Sequence, residues 1–168
     1  MHRLGPPAVP ALLEVYDDLD AYGQALSSVV LGQLGADQAA DRIWQTFERM
    51  MKFVETGYPL GPMWALIDLG DTRAATAIAD VVEDGWQFDE LPAMVARAGD
   101  RRALIPMILW MMGDKLPLDS AVGSAIGAVA HRIGRKAIIE EVERAPKDDE
   151  TVAEKAPPET IADLLLTI

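Results

Sequence analysis

The sequence predicts an all-α fold, a short α-solenoid of about four antiparallel helix hairpins. Three observations lead to this prediction. Apolar residues recur at three- and four-residue steps in most segments, which is the spacing of one helix face. No segment sustains the strict alternation of a half-buried strand. A Gly-Asp turn also recurs along the chain, and internal repeats of this kind indicate stacked helical units.

The first helix is expected to begin near Pro7, whose fixed φ suits the first turn. Apolar residues then recur at helical spacing as far as Leu34, and the helix either continues through Gly23 or breaks there. The later helices are expected from an Asp37 cap to Val54 (ended by Gly57 and Pro59), from Pro62 to Leu69, from an Asp71 cap to Gly85, from Asp89 to Ala98, from Ala103 to Met112, from an Asp119 or Ser120 cap to Ile133, and over Ile138 to Val142.

The segment from Ala103 to Met112 is apolar on nearly every side. A helix of this type is usually central in a domain and covered by neighbours on both flanks. We therefore predict that this helix is buried all round.

Three regions are expected along the chain. A helical repeat domain occupies residues 1–145, and residues 146–158 form a flexible linker, because their Lys, Asp, Glu, Ala and Pro content cannot bury enough surface to fold. Residues 159–168 form a short amphipathic segment. Its apolar residues either dock into a groove of a partner or fold back to cap the last repeat, and they are Ile161, Leu164, Leu165 and Ile168.

The repeat is clearest in two turns, Leu-Gly-Asp-Thr-Arg-Ala at 69–74 and Ala-Gly-Asp-Arg-Arg-Ala at 98–103. The glycine is expected to end one helix in the left-handed conformation, and the aspartate to accept backbone N–H groups of the next. Capping is favoured over an acid–base role for the aspartates, and pairing with a neighbouring carboxylate over anion binding for Arg73, Arg101 and Arg102. The predicted caps are Gly70, Asp71, Gly99 and Asp100.

This Leu-Gly-Asp-x-Arg-Ala pattern, with the apolar-Pro-x-apolar run Ile-Pro-Met-Ile at 105–108, resembles the HEAT-like repeats of phycobilin lyases and many bacterial proteins. The resemblance covers about residues 34–145 and departs at Gly134, where the capping aspartate is missing. It implies a curved stack of helix pairs whose concave face commonly binds protein, and it carries no catalytic motif. Among such proteins, bilin lyases and alkylpurine DNA glycosylases are enzymes.

Composition argues against several kinds of chemistry. There are no cysteines and only two histidines, so no metal site and no catalytic residues are predicted. His131 is expected to be a surface or structurally satisfied histidine. The formal charge of −12 disfavours nucleic-acid binding. The longest apolar run has about ten residues, against roughly 20 needed to span a bilayer, and no secretory signal is recognised, so a cytoplasmic location is expected.

The aromatic residues suggest one exposed binding feature. Trp86 and Phe88 lie in the short connection between Gly85 and Asp89, where a pair of loop aromatics can anchor a partner. Trp44 and Trp110 lie within apolar helical faces and are predicted to be core residues.

Three functions are compatible with these features. The first is an adaptor, scaffold or assembly subunit that binds another protein through its helical surface. The second is a lyase- or chaperone-like protein that holds a cofactor or tetrapyrrole. The third is an acidic inhibitor or nucleic-acid mimic, suggested only by the net charge. We predict no cofactor and no enzyme activity. The identity of the protein partner, any cofactor-binding residues and the oligomeric state stay open.

Overall fold

The computed structural model describes Gly5 and residues 7–52, 59–145 and 156–168, and over these ranges it contains helices, turns and loops but no strand. The all-α prediction is therefore confirmed. The predicted helix end at 53–58 and residues 146–155 of the predicted linker lie outside the described residues. The α-helices are α1 (Ala8–Val15), α2 (Ala21–Gln33), α3 (Ala40–Lys52), α4 (Leu60–Leu69), α5 (Arg73–Glu83), α6 (Leu91–Ala98), α7 (Leu104–Gly113), α8 (Ala121–Arg144) and α9 (Pro158–Leu165).

The chain divides into two compact units, one up to Ala77 and one from Ile78 onward, with the boundary inside α5. None of the helices in the described ranges is long and apolar enough to cross a membrane. In the first unit α2, α3 and α4 pack against one another, and in the second unit α8 packs against α6, α7 and α9.

The break in the first predicted helix precedes Gly23. α1 gives way to a 3-10 turn over Tyr16–Asp18, and α2 begins after Asp20. The Asp20 carboxylate accepts a hydrogen bond from the Gly23 backbone N–H at 2.7 Å, which satisfies a free donor of the first turn. Gly23 is thus part of the N-terminal turn of α2, and the helix is interrupted before it, between Val15 and the Asp20 cap.

α2 buries its polar side and exposes an apolar one. Gln24, Ser27 and Ser28 are buried, whereas Tyr22 and Leu26 are 73% and 51% exposed. The pattern of polar residues outside and apolar residues inside is therefore reversed in the first half of this helix, whereas Leu31 near its end is buried.

A buried network of hydrogen bonds accommodates this reversal. The Tyr16 hydroxyl lies 2.7 Å from Ser28 Oγ and donates to Thr46 Oγ1 at 3.1 Å, while Gln24 donates to the Tyr16 carbonyl at 3.1 Å. Arg49 donates to the Gln24 side-chain oxygen. The buried side chains of Gln24, Ser28 and Thr46 each have a partner, so their burial costs little.

Two glycines allow α2 and α4 to cross closely. A Cβ atom on Gly61 would lie 2.3 Å from the Ala25 carbonyl oxygen, and one on Gly32 would lie 2.6 Å from Ala65 Cα. Both neighbours are backbone atoms, which cannot swing aside. The spacing of these two helices therefore depends on the absence of a side chain at both positions.

The Gly-Asp turn between α4 and α5 has the predicted geometry. Gly70 is left-handed at φ 66°, and Asp71 accepts the Arg73 backbone N–H at 2.8 Å. The Arg73 guanidinium donates to Asp71 at 2.6 and 2.9 Å and to Asp41 on α3 at 2.8 Å. It also lies 5.7 Å from the ring centre of Trp44, which is half-buried rather than in the core. Arg73 thus ties the turn to α3.

We predict that Asp71→Asn lowers the free energy of unfolding by about 1 kcal/mol at pH 7, since the amide keeps a cap acceptor but loses the ion pair. Hydrogen bonding to Arg73 holds the pKa of Asp71 below its usual value of 3.8. The stabilisation is therefore complete above that pH and is lost as the pH falls through the lower folded-state pKa. Urea unfolding of both proteins from pH 7 to pH 2 should show two curves that converge in acid. A constant difference would contradict this assignment.

The second Gly-Asp turn differs from the prediction at its glycine. Asp100 accepts the Arg102 backbone N–H at 2.8 Å, but Gly99 is extended, with φ −61° and ψ 146°. Arg132 on α8 donates to the carbonyls of Ala96 and Gly99, so these end groups of α6 need no left-handed turn. Glycine is required here for space, because a Cβ would lie 2.7 Å from the Val95 oxygen.

Of the other predicted helix caps, one is present and two are not. Ser120 accepts the Gly123 N–H at 3.1 Å and caps α8, as one alternative predicted. Asp37 lies inside a 3-10 turn and caps nothing through its side chain, and α6 follows Glu90 rather than Asp89, also without a side-chain cap. α8 runs through both predicted C-terminal helices of the domain and is interrupted at Gly134, where φ is 80°.

α7 is not covered on both flanks, so the prediction of burial all round was wrong. Leu104, Met107 and Ile108 are buried, but Leu109 is 39% exposed and Trp110 is only half-buried. α8 packs against one side of α7, and Leu109 lies on a side of α7 that is open to solvent.

Candidate functional site

The exposed face of α7 forms one wall of a groove of about 380 Å³ in the second unit. The opposite wall is the end of α5 and the turn that follows it. The groove is lined mainly by apolar side chains, and its lining includes two carboxylates. The residues that matter for its chemistry are Glu83, Trp86, Leu109, Trp110 and Asp114.

The turn after α5 places Trp86 in the groove. Gly85 is left-handed at φ 77°, a conformation that a side chain would strain. The N–H of Gly85 bonds to the Val82 carbonyl at 3.2 Å, and that of Trp86 bonds to the Val81 carbonyl at 3.1 Å. This pair of bonds ends α5 and fixes the backbone of Trp86, whose side chain is half-buried.

Trp110 is held in place by a residue one helical turn later. Its indole N–H donates to Asp114 Oδ2 at 2.8 Å, which fits the i, i+4 spacing on one helix face. A tryptophan satisfied in this way presents a large and orientated apolar surface, the kind of side chain that dominates binding energy in protein interfaces.

The turn that follows α7 contains a strained residue next to Asp114 of the groove. Lys115 has φ 53°, whereas the corresponding residue after α4 and α5 is a glycine. The Lys115 N–H bonds to the Met112 carbonyl at 3.2 Å, and the next N–H, of Leu116, bonds to Met111 at 2.8 Å. These bonds hold Lys115 in a conformation that costs a non-glycine residue about 1 kcal/mol.

We predict that Lys115→Gly raises the free energy of unfolding by about 1 kcal/mol, because glycine removes this strain. Urea denaturation followed by circular dichroism measures the change. Lys115→Ala is the matched control, since it removes the same charge and keeps the strained backbone, and it should give no stabilisation. Equal stability of the two variants would contradict the prediction.

The two carboxylates of the groove have different surroundings. Glu83 is paired with Arg102, at 2.6 and 3.0 Å, and this hydrogen bonding lowers the pKa of Glu83. Arg102 also donates to Asp80 at 2.7 Å. Asp114 accepts the neutral indole N–H, and among the described residues no Lys or Arg forms an ion pair with it. The negative charge of Asp114 is therefore left for solvent or a ligand.

The predicted partner-binding residues are not brought together. Trp86 lines the groove, but Phe88 does not, and both are half-buried. Among the C-terminal residues, Ile161 and Leu165 are 6% and 3% exposed in a helix that packs on α8, whereas Leu164 is 51% exposed.

The C-terminal segment therefore adopts the arrangement in which it folds back on the helical body. Arg135 on α8 bonds to Asp163 at 2.7 Å, which lowers the pKa of Asp163. A Cβ on Gly127 would lie 3.1 Å from the backbone of Ile168, so the small residue in α8 leaves room for the end of the chain.

The residues weighed for catalysis have structural surroundings. Asp71 and Asp100 both act as caps, Arg101 bonds to Glu141 on α8 at 2.6 Å, and His131 is exposed. Within the described residues, no three His, Asp or Glu side chains lie close enough together to hold a metal ion.

Sequence reasoning missed most of the groove. Trp110 was assigned to the core because α7 is apolar on every side, and Leu109 and Asp114 were not singled out. The available signal was the spacing of Trp110 and Asp114. An acidic residue one turn after a tryptophan can accept its indole N–H, and because a carboxylate is costly to bury, the pair favours a position near the surface.

Comparisons of the chain with models of protein families, with curated proteins and with solved structures gave no match in any of the three.

Proposed function

We propose that this chain is a protein-binding adaptor or scaffold built from HEAT-like helix hairpins, and that the groove beside α7 is where it binds its partner. The observation that carries the proposal is the exposed apolar face of α7, with Trp110 and Leu109, opposite Trp86. Aromatic side chains at the centre of a groove are the usual anchors of protein interfaces.

The proposed stacking of hairpins has its own support inside each unit. α2 packs against α4 and α6 packs against α8, so helices that are separated by one helix in the chain lie side by side. Stacked antiparallel pairs require this pairing. The Gly70–Asp71 turn supplies a tight connection of the kind that such a stack needs.

Site-specific crosslinking tests the proposal. A photoreactive amino acid is placed at Leu109 in the groove, or at Leu118, which is 45% exposed in the same unit and does not line the groove. We expect a discrete crosslinked protein from the position 109 variant in native cells, and its loss when Trp110→Ala is added. Equal capture from position 118, or capture that persists without Trp110, would contradict the proposal.

A further inference from the structure

We infer that the partner segment in the groove is basic, with a Lys or Arg side chain next to its apolar anchor. This inference rests on the proposed function and adds the chemistry of the partner. It follows from the charges at the groove, which are distributed unevenly.

The groove lining contains two carboxylates, of Glu83 and Asp114, and no Lys, Arg or His. Glu83 already has a cationic partner in Arg102. Asp114 has only the indole N–H of Trp110, which leaves one carboxylate oxygen and the full negative charge available. A cationic donor from a partner would form a charge-assisted hydrogen bond there, and such bonds are stronger than neutral ones.

The chain around Trp86 adds to the negative charge. Residues 80–90 include five acidic residues and no basic one. Two of the five, Asp80 and Glu83, are paired with Arg102, and the other three, Asp84, Asp89 and Glu90, are exposed. Lys115 follows Asp114 in the chain but does not line the groove. A positively charged segment would be attracted to this surface, and an acidic one repelled.

The apolar lining suits the stem of such a side chain. Lys and Arg pack their methylene groups on apolar surface while the charged end stays near water or a carboxylate. The indole ring of Trp110 lines the groove, and the face of an indole ring attracts cations. Methylene packing on Leu109, cation–π attraction and Asp114 would thus act on one side chain.

A peptide selection identifies the preferred chemistry without knowledge of the natural partner. A random 12-residue display library is selected on the intact chain after removal of peptides that bind the Trp110→Ala variant. Both proteins have the same charge, so peptides attracted only by the net charge of −12 are removed.

We expect the surviving peptides to carry Lys or Arg beside an apolar residue. Survivors that are neutral or acidic would overturn this inference and leave the proposed groove intact. If no peptide distinguishes the chain from Trp110→Ala, the proposed function itself fails, and the inference with it.

Asp114→Asn then tests the assigned contact, because the amide oxygen can still accept the Trp110 indole N–H. For the most enriched peptide we expect the dissociation constant to rise about fivefold, because an ion pair at an exposed carboxylate contributes up to about 1 kcal/mol. The matched control is Glu143→Gln, an exposed carboxylate on α8 that does not line the groove. An effect of Asp114→Asn no larger than the control, with unchanged circular dichroism, would overturn the assignment.

Discussion

Gly61→Ala is expected to lower the free energy of unfolding by about 3 kcal/mol, the largest effect of any single methyl group that we predict. The added Cβ would lie 2.3 Å from the carbonyl oxygen of Ala25 and 2.9 Å from its Cα. Because both are backbone atoms of α2, the clash can be relieved only if α2 and α4 move apart, and separation would loosen the contacts along both helices.

Urea denaturation followed by circular dichroism at 222 nm measures this loss. Gly113→Ala is the matched control, since the same methyl group there would have no atom within 4 Å and the backbone is not left-handed. This control should be within about 0.5 kcal/mol of the unmodified chain. Equal midpoints for the two variants would show that α2 and α4 do not cross at Gly61.

Leu165→Ala is expected to lower the free energy of unfolding by about 2–3 kcal/mol, through lost burial and the cavity that remains. Leu165 is 3% exposed in α9, which packs against α8. The same change should speed amide hydrogen exchange throughout α9, because a short helix keeps its structure mainly through packing.

The neighbouring residue supplies the control. Leu164 is 51% exposed, so Leu164→Ala should change stability by less than about 0.5 kcal/mol. If both variants behave alike, α9 is not held on α8 in solution. The apolar residues of the C-terminal segment would then be available to a partner, which is the other alternative that the sequence left open.

Local patterns were sufficient to predict the helices. The three- and four-residue spacing of apolar residues located α3 to α7 to within a few residues, whereas the break between α1 and α2 was not placed and α8 was predicted as two helices. The Gly70–Asp71 turn could be derived from the properties of its two residue types. Gly99 shows where this reasoning ends. A glycine can serve either a left-handed turn or a close approach, and the choice here depends on Arg132, 33 residues later.

The groove required information that no local pattern contains. The apolar residues of α7 are equally consistent with burial on one side or on all sides, because burial depends on which helices pack against it. The reversed polarity of α2 has the same origin, since Gln24 and Ser28 are tolerated inside only because Tyr16 and Arg49 meet them there. The exposure of α7 and the burial of polar residues in α2 are therefore both determined by contacts between residues distant in the chain.

The role of the groove is tested most directly by the affinity of the protein that crosslinks at position 109. Fluorescence anisotropy gives its dissociation constant for the unmodified chain, for Trp110→Ala and for Leu118→Ala, each checked for unchanged helicity. We predict that Trp110→Ala weakens binding at least about 30-fold, as for an interface hot spot of 2 kcal/mol, and that Leu118→Ala changes it less than about twofold. Equal affinity of Trp110→Ala and the unmodified chain would contradict the assignment of partner binding to this groove.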